Sequence, residues 1–133
     1  MIKGVSHPIK INNDELLARF IVFRSWLRND NTVKPDAFMP HPRTLELSVF
    51  LHTGLSIEDL WKCGQTATQN RINATLCGRA DILTLHVRGQ KLEVANNAPP
   101  MNHAVITGWP NEKPNQKMLA IELAAESSFI FFS

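Results

Sequence analysis

Ser56 stands three residues before Asp59, and Ile57, Leu60, Trp61 and Gly64 follow at helical spacing. A serine hydroxyl so placed accepts a hydrogen bond from an orphaned N–H of the first turn, and an acidic residue three places on completes a capping box. The pattern predicts a helix that begins after Ser56, buries that face and ends near Gln69 or Asn70. A second helix is expected from Pro114 to Ser127, since proline suits a first turn, with Met118, Ile121, Leu123 and Ala125 inward. Elsewhere the apolar residues come in short runs cut by prolines and turn residues, which is the signature of strands. The expected architecture is therefore α+β: a mainly antiparallel sheet packed against two helices, about 56–69 and 114–127.

Leu16 to Leu27 fits both a helix and a strand, but its Phe-Ile-Val-Phe centre favours a strand. Asn29-Asp30-Asn31 then predicts a hairpin whose return arm passes Val33 toward Phe38, and Pro35, Pro40 and Pro42 keep the next stretch irregular. Further strands are expected at 45–50, 72–77 and 80–87, the last pairing as a meander with 92–95 across the turn at Arg88-Gly89-Gln90. Ala104 to Thr107 should form another, ended by Gly108-Trp109-Pro110. The apolar tail Phe129-Ile130-Phe131-Phe132 is too costly to leave in water, so it is read as a last strand or a homodimer interface.

The chain of 133 residues is the size of one domain, and halving it would leave two pieces each short of a core. With 44% hydrophobic and 20% charged residues it is an ordinary globular composition. A formal charge of +2, with scattered basic residues, gives only a weak case for nucleic acid. Residues 1–11 carry no apolar run, so neither a signal peptide nor a membrane anchor is expected, and Cys63 and Cys77 read as reduced thiols of a cytoplasmic protein. No GxxxxGK[ST], GxGxxG or GxSxG pattern occurs, which argues against phosphate-loop, dinucleotide and serine-hydrolase chemistry. Histidines and cysteines are spread without paired spacing, so neither a metal nor any other cofactor is expected.

The candidate site is a polar patch at Asn102 and His103. Pro99-Pro100 precedes it and a β-branched strand comes after, which pre-orients a ring able to exchange a proton near neutrality, while Asn102 can orient a carbonyl or phosphate. The plain alternative is a histidine that hydrogen-bonds a neighbouring loop. Arg79 and Asp81 offer a forked clamp for an anion, or else pair with each other. His41 and Arg43, presented by a proline-rich loop, and Ser48 with His52 are further binding candidates, against simple exposure for His41 and packing for His52. Trp61 reads as core, whereas Trp109 can contact a ligand or pack in its turn.

The strings Lys34-Pro35-Asp36-Ala37-Phe38-Met39-Pro40, Leu47-Ser48-Val49, Gly78-Arg79-Ala80-Asp81 and Asn102-His103-Ala104-Val105-Ile106-Thr107-Gly108-Trp109-Pro110 resemble a group of small bacterial proteins of no established activity. That resemblance implies a bacterial cytosolic origin and a compact domain. A fainter likeness to ADP-ribosyltransferase-like folds would cast Arg24, Ser48 and Glu122 as site residues, without the Glu-x-Glu or Gln-x-Glu signature. Two functions are expected: a binding or accessory protein engaging a macromolecular partner, or a metal-independent enzyme acting on a phosphate-bearing substrate. The second uses His103 as acid or base, Asn102 as orienter and Arg79 as clamp, and requires these to share one pocket with His41, Ser48 or His52.

Overall fold

Leu16–Ile21 (β1) buries side chains on both of its faces, with Leu17, Ala18 and Ile21 wholly inaccessible, as a strand at the centre of a sheet must. It is flanked by Leu47–Leu51 (β2) and Gly78–Leu83 (β3), and the six strands run in the order β4-β5-β2-β1-β3-β6, all antiparallel. Here β4 is Glu93–Asn96, β5 His103–Thr107 and β6 Ser128–Phe131. The helices are Ile57–Gln69 (α1), Thr84–Gly89 (α2) and Lys113–Glu126 (α3). This computed structural model describes residues 10–132. It shows a single-domain α+β protein; the leader-free reading of the N-terminus falls, for residues 1–9, outside the described residues.

Each face of the sheet has its own core. Leu17, Ile21, Val49, Ile82 and Ile106 point one way and pack with Ala120 and Leu123 of α3. Ala18, Phe20 and Phe50 point the other way and meet Leu60 and Trp61 of α1. Ser56 caps α1 as expected, its hydroxyl accepting from Asp59 N–H at 3.0 Å. Gly64 lets α1 approach β1 closely, because a Cβ there would sit 2.6 Å from the Phe20 ring.

Several expectations need correction. The Asn29–Asn31 hairpin shrinks to one bridge, Leu27 to Val33, and its return arm becomes a 3-10 turn at Pro35–Phe38, since proline there lacks a ladder donor. Residues 72–77 are irregular and form no strand. The strand expected over 80–87 stops at Leu83, where the N–H and hydroxyl of Thr84 both bond Glu15 carbonyl and Leu85 N–H bonds that of Asn13. Captured by that segment, the chain coils into α2, and no meander forms: β4 lies at the far edge of the sheet, beside β5 alone. On α3 only Leu123 of the four residues expected inward is buried, while Gln116, Ala120 and Ala124 complete its face; Ile57 on α1 is likewise exposed. The tail does form the last strand, β6, against β3.

Candidate functional site

Because β1 and β2 pair only at Leu17–Leu51 and Ala18–Phe50, they splay apart beyond Ala18. Arg19 fills the wedge. Its Nε donates to Ala37 carbonyl at 2.7 Å and its Nη1 to Ser48 carbonyl at 3.0 Å, giving the opened strand a donor in place of a ladder partner. Helix α1 covers the β1 side of this face and leaves the β2–β5 side open. Between them lies a cleft of about 780 Å³, floored by Phe20, Phe50 and His103, walled by α1 from Asp59 to Ala67 and by Asn70 just after it, and rimmed by Met39–Pro42 and Met101. That size and largely apolar lining suit a small organic molecule.

Two guanidiniums enter the cleft, Arg19 and Arg71. Among the described residues neither has a carboxylate within 4 Å. Trp26 lies against both, its ring centre 5.1 Å from Arg19 and 5.8 Å from Arg71, and Arg71 also covers Phe23. Burial, reinforced by the like charge of Arg71, pushes the Arg19 guanidinium down to about 9. It is a cation still charged at neutral pH, held where its charge is not compensated. Three carboxylates line the cleft, but Asp59 faces Lys62 and Asp36 faces Lys117, each at 3.9 Å, which leaves Glu46 alone against the two arginines.

The two histidines of the cleft hold opposite tautomers when neutral. His103 Nδ1 lies 3.1 Å from both the carbonyl and the side-chain oxygen of Asn97, so it must donate and its bare lone pair is on Nε2. His41 Nδ1 accepts Arg43 N–H at 3.1 Å, so its hydrogen is on Nε2. The loop around His41 is closed by His41 N–H to Glu46 carbonyl and by Leu45 N–H to His41 carbonyl, with Leu45 held at φ 53°. A left-handed leucine costs about 1 kcal/mol or more, so this loop's shape is imposed by its surroundings. Cys63, also in the wall, has its thiol pushed up by burial and by Asp59, which keeps it protonated and poorly nucleophilic.

Of the residues expected to act, His103, His41 and Ser48 line this one cleft. Arg79 and Asp81 do not, so the enzymatic reading in the form expected from sequence, with Arg79 as its clamp, is not met. They are buried beneath Trp61, where Arg79 Nε meets both Asp81 oxygens at 3.1 Å and His52 Nε2 meets Oδ1 at 3.0 Å. Trp109 is buried too, its indole N–H spent on Ile106 carbonyl, and cannot contact a ligand. Asn102 sits at φ 65° with its amide nitrogen given to Leu51 and Thr53 carbonyls, a latch on the end of β2. Arg43 is exposed outside the cleft lining. Arg24, Ser48 and Glu122 do not converge, because α3 packs on the opposite face from Ser48. Sequence reasoning named neither Arg19 nor Arg71 as a site residue; for Arg19 the signal was an arginine inside the apolar run Leu16–Ile21. Among the described residues no group of three His, Cys, Asp or Glu is placed to hold a metal ion. Comparison of the chain with protein-family models, curated proteins and solved structures found no match.

Proposed function

We propose that this is a binding protein for a small organic anion, a phosphate- or carboxylate-bearing molecule with an apolar body, taken up in the cleft between α1 and the sheet. The observation that carries the reading is Arg19: a guanidinium pressed into an aromatic-walled hollow beside a second arginine, with no carboxylate within 4 Å of it among the described residues. Such a charge costs stability unless an anion completes it. The ligand's anionic group would sit at Arg19 and Arg71 and its apolar part against Phe20 and Phe50.

A thermal melt tests this. Inorganic phosphate at low millimolar concentration should raise Tm by several degrees, since a ligand at a hundredfold excess over Kd adds about 2.7 kcal/mol. Arg19→Met and Arg71→Met should each remove the rise, and Arg43→Met, outside the cleft, should keep it. Equal rises in all four proteins would overturn the reading, because general salt effects do not depend on these side chains.

We also infer that two copies associate through β6. Its outer edge has no strand beside it among the described residues, and Ile130, Phe131 and Phe132 are 39%, 51% and 36% exposed. Antiparallel pairing of one such edge with its twin satisfies both sets of backbone groups about a two-fold axis.

A further inference from the structure

We propose that the cleft also turns over its ligand, with His103 as general base in the hydrolysis of a phosphodiester; this rests on the anion-binding reading. The Asn97 oxygens lock Nδ1–H, so the neutral ring presents its lone pair from Nε2, and Asn97 stands where an orienting group for a catalytic histidine stands. The ring is held edge-on to Phe50, with centroids 5.2 Å apart. Backbone bonds from His103 N–H to Pro100 carbonyl and from Asn97 N–H to His103 carbonyl fix the strand end that bears it. A base in such a frame loses little entropy on reaching its proton.

The partners are in the same hollow. Arg19 bonds the backbone of Ser48, and Ser48 is the diagonal neighbour of His103 across β2 and β5, at about 7–8 Å between Cα atoms for that relation. His41 offers the complementary Nε2–H donor. A phosphodiester carries its negative charge at the reacting centre, so the arginines that bind it also offset the charge that builds during attack, whereas a carboxylate ligand has no bond to break there. In the step, a water oxygen forms a bond to phosphorus and its proton passes to His103 Nε2. The bond from phosphorus to the leaving oxygen breaks with its electron pair on that oxygen, and the imidazolium returns its proton to the leaving group or to solvent. Charge and atoms balance with water as the only co-reactant.

Bis(p-nitrophenyl) phosphate is the probe, since its leaving phenolate needs no proton and is coloured. The protein should release p-nitrophenolate above the buffer rate. His103→Ala should lower that rate about 100-fold or more with phosphate binding intact, and added imidazole should restore part of it, which a structural role would not allow. Arg71→Met should lose both binding and turnover. Phosphate binding without turnover by the wild type, or a His103→Ala protein as fast as wild type, would overturn this inference and leave the binding reading standing. Absence of phosphate binding would end both.

Discussion

Two arginines show opposite ways of placing a charge inside a small protein. Arg79 is satisfied by Asp81, yet its Nη1 is buried without a partner, and its guanidinium carbon lies 4.6 Å from the centre of the Trp61 ring. Both partners are under a tenth exposed. Breaking such a pair from one side strands a charge, so Asp81→Ala is expected to cost about 3–5 kcal/mol, whereas Arg79→Met combined with Asp81→Leu should come close to neutral. Urea unfolding of the three proteins measures this, and equal losses in the single and double variants would show that packing rather than charge decides. Arg19 has no Asp81. It leans on two carbonyls and an indole, with no carboxylate within 4 Å among the described residues. From sequence the two were indistinguishable in kind: Arg79 drew attention through the nearby Asp81, and Arg19 passed as part of an apolar strand because its pairing depends on a splay between β1 and β2 that one strand's residues do not encode.

At the scale of elements, what local chemistry specifies was legible. The capped helix α1, the proline-started α3, the short β5 before Gly108 and the strand character of β1 follow from side chains a few positions apart. What long-range capture decides was not. Segment 13–15 ends β3 and turns Thr84–Gly89 into α2, so a run rich in strand formers coils instead; β4 then crosses to the far edge. The candidate cleft was half visible for the same reason: His41, Ser48 and His103 stood out as chemical types, while the aromatic floor and the arginines required the sheet order. Strands β3 and β6 approach closely at Gly78, where a Cβ would overlap Ile130 carbonyl and press the Phe129 ring. Gly78→Ala should therefore lift β6 and cost about 1–3 kcal/mol. Hydrogen exchange would show it as lost protection at β6; protection unchanged from wild type would mean that the strand is held by something other than this contact.

For the whole molecule, the sheet divides its work between its faces. One is closed by α3 and carries the larger core; the other is only part-covered by α1, and that incompleteness is the cleft. No helix among the described residues is long and apolar enough to cross a membrane. The apolar tail is spent differently along its length: Phe129 packs inward on the larger core, Phe132 meets Trp61 at 5.0 Å, and Ile130 and Phe131 stay exposed, Phe131 with its ring edge-on to Phe129. Light scattering at micromolar concentration should give twice the chain mass, and Phe131→Lys, which puts a charge on the edge, should give the monomer with Tm little changed. A wild-type monomer would remove the β6 interface and leave the cleft untouched.

The most direct measurement of the central claim tracks the arginine Nε–H resonances by NMR as inorganic phosphate is added. An uncompensated guanidinium pair waiting for an anion predicts saturable shifts at Arg19 and Arg71 with one common Kd, and small unsaturating ones at Arg24 and Arg43 on the exposed surface. Shifts of similar size at all four, or none at Arg19, would contradict the account.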